Sequence, residues 1–79
     1  MLLFEEFSDL LRKRLLIEVD QVNLKLKKED VLRVSPSFRE VNNEMRFFLD
    51  ERILSKLSED FINEMEKMWN EIKQKYSYR

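Results

Sequence analysis

The acidic side chains offer this chain its widest choice of chemistry. The 79 residues include 16 Asp and Glu but no His or Cys, which excludes imidazole general bases, thiol nucleophiles and thiolate zinc sites. If their segments are helical, Asp60 and Glu64, like Glu40 and Glu44, share a face at i, i+4 and could hold Mg²⁺ for phosphoryl or nuclease chemistry. Among sixteen acids such pairs arise freely. We therefore expect solvated faces, no catalytic residue, no metal or cofactor site, and a protein that is not an enzyme.

The composition limits the fold and the ligands further. The chain has no Gly and one Pro, so neither a P-loop nor a dinucleotide fingerprint is present. Hairpins and left-handed turns usually use Gly, so the composition favours helices. The 15 Lys and Arg nearly balance the 16 acids, which argues against bulk attraction to nucleic acid or anionic membrane. High Glu, Lys and Arg content is typical of thermophile proteins.

Three periodic segments predict an all-α fold, a small bundle of three main helices in a single domain, 1–79. The first helix is predicted from Leu2 to about Lys28, the second from about Pro36 to Lys56, and the third over about 59–76, with Ser58 as its cap. Steps of three or four residues define each apolar stripe. The first stripe consists of Phe4, Phe7, Leu11, Leu15, Val19, Val22 and Leu26.

An alternative fold is α+β, with a short hairpin between residues 22 and 49. The stretch "VNLKLK" alternates with period two and could form a strand over 22–26, so residues 20–34 stay open between helix and strand. Met45, Phe47 and Leu49 also alternate, and the hairpin would turn on Asn42-Asn43. Asn-Asn is a weaker turn signal than Asn-Gly, so helix is the preferred interpretation.

The aromatic residues are the candidates for a protein interface. Phe47 and Phe48 are adjacent, so one helical face cannot bury both. Trp69 and Tyr78 lie among charged residues near the end of the sequence, and Trp and Tyr are enriched at binding hot spots. We expect Tyr76 to close the core, and Phe47, Phe48, Trp69 and Tyr78 to be available to a partner.

Three arginines are the candidates for contact with nucleic acid. Arg33, Arg39 and Arg46 give the middle of the chain a basic bias, with Arg39 and Arg46 two helical turns apart on one surface. A helix beginning at Pro36 could then act as the recognition element of a helix-turn-helix protein.

No apolar run approaches the 18–20 residues or so that a membrane span needs. The opening "MLLFEEFSDLL" has acids within its apolar stretch and no basic start, so we expect no signal peptide, no membrane partner and a cytoplasmic location.

In its general character the chain resembles the small helical accessory subunits bound by archaeal B-family DNA polymerases. The shared features are helix-favouring composition, richness in Lys, Glu and Arg, and the lack of Gly, His and Cys; no site residue is carried over. The resemblance implies docking on a polymerase. We expect a non-catalytic accessory or adaptor subunit that docks by helix faces on a larger protein complex. A homodimer through the long first helix competes for the same surface, and the alternative is a small DNA- or RNA-binding protein of helix-turn-helix type.

Overall fold

The fold is a mixture of helices and one antiparallel hairpin, not a helical bundle. The computed structural model describes residues 2–22 and 26–76. Along these residues the elements are α1 (Leu2–Val22), α2 (Lys28–Leu32), β1 (Ser37–Val41), β2 (Glu44–Phe48), α3 (Glu51–Leu54) and α4 (Glu59–Lys75). The predicted all-α fold is therefore wrong, and the hairpin weighed as its alternative is present.

The predicted second helix is replaced by the hairpin and the short helix α3. Strands β1 and β2 pair around Asn42 and Asn43, with Val41 opposite Glu44. Both asparagines have positive φ, 53° and 63°, which a two-residue turn of type I′ requires. Asn tolerates this left-handed region better than other residues with a side chain, so the hairpin forms without Gly.

The long first helix ends earlier than its apolar stripe suggested. α1 stops at Val22, and α2 begins separately at Lys28. The strand considered for 22–26 lies mostly on residues 23–25, outside the described residues. Leu26 is buried in the core. The periodic stripe could not reveal the break, because Leu26 also faces the core after it.

Local caps fix the last two helices. The Asp50 side chain accepts a hydrogen bond from the Arg52 backbone N–H at the start of α3. The Ser58 hydroxyl accepts one from the Phe61 N–H at 3.1 Å at the start of α4, which confirms the predicted cap. Helix α4 then runs to Lys75, close to the expected end.

One core joins α1, α4 and the inner face of the hairpin. Phe7, Leu11 and Leu15 of α1 are fully buried. Aromatic rings form its centre: the Phe7 centroid lies 4.6 Å from that of Phe47 and 5.0 Å from that of Trp69. The remaining buried apolar residues are Leu26, Val31, Val34, Phe61, Met65 and Ile72. Among the described residues, no helix is long and apolar enough to cross a membrane.

Candidate protein-binding site

The two faces of the hairpin differ in chemistry. In the register, Phe38 is paired with Phe47, and Arg39 with Arg46. Because side chains alternate along a strand, Phe38 and Phe47 share the inner face, whereas both arginines lie on the outer face. The arginines are exposed. Two like charges directly across a strand pair are unfavourable, so the outer face carries an electrostatic cost that an anionic group would relieve.

Phe47 and Phe48 lie on opposite faces of β2, because adjacent side chains of a strand point to opposite sides. Phe47 packs inward, with its ring centroid 5.9 Å from that of Trp69. Phe48 lies on the outer face, where the Arg39 guanidinium is 4.2 Å from its ring centroid. Both rings are half-buried. Of these two interface candidates, Phe48 is the one on the outer surface.

Trp69 is a core residue, which corrects the expectation that its ring is available to a partner. Its side chain is only 3 % exposed, and its ring contacts the aromatic centre of the core. The indole N–H donates to the Met45 carbonyl at 3.1 Å. Trp69 therefore holds α4 against the edge of β2. The fourth candidate, Tyr78, lies outside the described residues.

Lys73 reinforces the same junction. Its ammonium group donates to the Glu44 carboxylate at 3.0 Å and to the Met45 carbonyl at 3.4 Å. The hydrogen bond from Lys73 lowers the pKa of Glu44; the Lys73 charge adds to this, and the Arg46 charge contributes less. The Glu44 carboxylate thus already has a cationic partner, Lys73, within the chain. Neither Arg39 nor Arg46 forms a salt bridge within the described residues.

An open groove of about 330 Å³ lies between β2 and α4, with α3 at one end. Its apolar lining is Phe47, Phe48, Leu49, Leu54, Ile62 and Trp69, and its polar lining is Glu44, Arg46, Glu66, Asn70 and Lys73. Leu54 is 38 % exposed. The groove therefore has apolar walls and a charged rim, and protein-binding surfaces have the same arrangement of an apolar centre and a polar rim.

The edge of β2 forms one wall of this groove. In an antiparallel pair, residues alternate between exchanging both backbone hydrogen bonds and exchanging none. Val41 and Glu44 close a two-residue turn and exchange both backbone hydrogen bonds. By the alternation, Met45 and Phe47 exchange none with β1, so their N–H and C=O groups point away from it. The bond from Trp69 to the Met45 carbonyl agrees with this direction. At Phe47, no backbone hydrogen bond beyond the hairpin is present among the described residues.

Arg33 lies apart from the other two arginines. It follows α2 and lines a separate groove of about 440 Å³ with Asp30, Asp50, Arg52 and Lys56. The three arginines therefore do not form one basic surface. The predicted recognition helix from Pro36 is also wrong, because that segment is β1.

The structure separates one of the two acidic pairs. Glu40 and Glu44 belong to different strands, and the register places them on opposite faces of the hairpin. Glu64 of the second pair accepts a hydrogen bond from Arg14 at 2.6 Å. Within 2–22 and 26–76, no group of three or more acidic residues is placed to hold a metal ion.

Sequence reasoning missed the residues that complete the groove. Leu54 and Ile62 were not among the predicted interface residues, and Leu49 appeared only in the alternative hairpin. The available signal was Asn42-Asn43, because the hairpin it forms places β2 beside α4. Comparisons of the chain with protein-family models, with curated proteins and with solved structures find no match.

Proposed function

We propose that this protein is a non-catalytic accessory subunit that binds a larger protein through the groove between β2 and α4. The observation that carries the proposal is the groove itself, whose apolar walls include the partly exposed Leu54 and the outer-face ring of Phe48. Burying such walls against another chain is favourable by about 25 cal/mol per Å² of apolar surface. The docking surface is thus built from a strand edge and helices together, not from helix faces alone.

Two features of the sequence support a setting for this function. We propose that the protein acts in the cytoplasm, and its resemblance to small polymerase subunits makes a DNA polymerase holoenzyme the first partner to test. A second copy of the chain is the competing occupant.

A site-specific photocrosslink tests the proposal. A benzophenone amino acid replaces Leu54 in the groove and, as the matched control, the exposed Leu2, which does not line the groove. In native extract, the Leu54 position should capture one larger protein that the Leu2 position does not. Equal capture by both positions, or capture of only a second copy, would contradict the proposal.

The Leu54→Glu variant supplies the quantitative check. A carboxylate in an apolar contact loses the burial energy and must be desolvated, so affinity for the purified captured protein should fall at least about tenfold, or 1.4 kcal/mol. Isothermal titration measures this affinity, with Leu2→Glu as the control. Unchanged affinity for Leu54→Glu would place the interface elsewhere.

Nucleic-acid binding is the second candidate, and one observation favours it. Arg39 and Arg46 are side by side on the outer face of the hairpin next to the ring of Phe48, and cations beside an aromatic ring suit single strands. Salt-sensitive binding of a labelled oligonucleotide that is lost in Arg46→Gln would support this candidate. Absence of such binding would exclude it, and protein binding would then be the one candidate function.

A further inference from the structure

We propose that the groove binds its partner by strand addition: an extended segment pairs with the edge of β2 at Phe47 as a third strand. The segment carries an acidic residue opposite Arg46, with an apolar residue on each side of it. This inference rests on the proposed function and names the form of the partner.

The backbone of β2 provides the template. The N–H and C=O of Phe47 point away from β1 and toward the groove, and no described backbone group pairs with them. An unpaired strand edge is a ready site for another strand, whose main-chain hydrogen bonds supply affinity. The groove is lined by Phe47 and by its neighbours Arg46 and Phe48, whose side chains lie on opposite faces. A cavity lined from both faces of one strand follows that strand's edge.

The walls determine the side chains that fit. In an added strand, the residues opposite Phe47 and Met45 would place their side chains on the inner side, toward Ile62 of α4. The main-chain hydrogen bonds would be made at Phe47, because Trp69 and Lys73 already occupy the Met45 carbonyl. That wall is apolar, so the inward residues should be apolar. The residue between them lies opposite Arg46 on the outer face, because side chains alternate.

Charge complementarity selects an acid at the outward position. Arg46 faces Arg39 across the strand pair, and neither forms a salt bridge among the described residues. A carboxylate beside Arg46 would receive charge-assisted hydrogen bonds and offset the repulsion between the two guanidinium groups.

The same charges disfavour a second copy as the added strand. Parallel in-register pairing of two β2 edges would set Arg46 beside Arg46 of the copy. Antiparallel pairing centred on Phe47 would set Arg46 opposite Phe48 of the copy. Neither arrangement supplies a carboxylate next to Arg46. Antiparallel pairing centred on Met45 would set Arg46 opposite Glu44 of the copy, but Trp69 and Lys73 already hold the Met45 carbonyl, and Lys73 also binds Glu44. The occupant is therefore an acidic segment of a different protein.

The test uses short synthetic peptides on the full chain. The probe is an acetylated peptide whose centre reads valine-aspartate-valine, and the comparison peptides carry lysine for aspartate or an N-methyl group on the amide that would pair with β2. The fluorescence of Trp69, the only Trp, follows binding, and amide hydrogen exchange follows the N–H of Phe47.

The expected results are specific to strand addition. The aspartate peptide should bind and slow exchange at Phe47, while the lysine and N-methyl peptides should bind about tenfold more weakly or not at all. Arg46→Gln should remove the preference for aspartate over lysine. Arg33→Gln, an exposed arginine outside the groove, should keep it.

Other outcomes separate the two proposals. Equal binding of the N-methyl peptide, or no protection at Phe47, would overturn strand addition, as would the absence of binding by every peptide. The Leu54 crosslink to a larger protein would then still support the proposed function. Slowed exchange at Phe47 caused by self-association alone, shown by sedimentation, would also overturn the inference.

Discussion

Trp69 joins the hairpin to α4 in two ways. Its ring fills the aromatic centre of the core, where it stacks with Phe4 at 6.5 Å between ring centroids and lies 5.4 Å from Phe38. Its indole N–H satisfies the Met45 carbonyl, which the hairpin leaves unpaired. Ring burial and the hydrogen bond therefore make separable contributions at one residue.

Substitution of Trp69 should separate these contributions. We expect Trp69→Ala to lower the free energy of unfolding by about 3–5 kcal/mol, because it leaves a cavity in the core. Trp69→Phe keeps an aromatic ring but loses the N–H, so it should cost about 1–2 kcal/mol. Urea unfolding followed by circular dichroism measures both values. Equal losses in the two variants would show that the hydrogen bond outweighs the ring.

The elements differ in how well the sequence predicts them. The helix α4 was predictable because Phe61, Met65 and Ile72 recur at helical spacing behind a Ser58 cap, and all three are buried. The segment from Phe38 to Leu49 satisfies both periods: a helical stripe runs through Phe38, Val41, Met45 and Phe48, whereas Met45, Phe47 and Leu49 alternate. Periodicity alone could not choose between them.

The choice of strand over helix depended on contacts distant in sequence. Phe38 and Phe47 are stabilised against Phe4, Phe7 and Trp69, and packing of this kind overrides local propensity. The groove could not be predicted from the sequence for the same reason. Phe48 and Arg46 were named from the sequence, but the groove exists only because α4 approaches the edge of β2.

The hairpin depends on its turn, and Asn43 tests this dependence. Because Asn43 has φ of 63°, Asn43→Val forces a β-branched side chain into the left-handed region. We expect a loss of about 1–2 kcal/mol in the free energy of unfolding. Asn43→Gly should cause no loss, since Gly adopts this region readily.

The control for the turn is Asn63→Val on the exposed face of α4, where Asn and Val have similar helix propensity. Chemical denaturation of all three variants gives the comparison. Equal losses for Asn43→Val and Asn63→Val would show that the turn conformation contributes nothing to stability.

At the scale of the whole molecule, one polar cluster ties the first helix to the last. The Glu6 carboxylate accepts hydrogen bonds from Lys75 at 3.0 Å and from the Tyr76 hydroxyl at 2.9 Å. The bonds from Lys75 and then Tyr76 lower the pKa of Glu6, and the bond to Glu6 raises the pKa of Lys75. Tyr76 is half-buried and packs against the core, where the sequence predicted that it would close the core.

The lowered pKa of Glu6 makes part of the stability depend on pH. A carboxyl group whose pKa is lower in the folded state stabilises the fold above its unfolded pKa of about 4.3 and loses this effect as pH falls through its folded pKa. We therefore expect Glu6→Gln to have a lower melting temperature than the parent at pH 7. The difference should shrink below about pH 4.

Thermal unfolding across this pH range measures the effect. The control is Glu5→Gln, an exposed neighbour that forms no salt bridge with the residues that the structure describes. A difference between Glu6→Gln and the parent that is the same at pH 7 and at acid pH would contradict the assignment. The Lys75 partner acts in the opposite range, because a raised pKa adds stability that is lost as pH rises through it.

The unpaired part of the β2 edge at Phe47 also exposes the chain to amyloid-like stacking, since unpaired N–H and C=O groups on a strand edge are where cross-β growth starts. Arg39 and Arg46 then act as gatekeepers, because copies stacked in register would pile their guanidinium groups into one column of positive charge. The two arginines proposed to attract an acidic segment thus also oppose aggregation of the chain at high concentration.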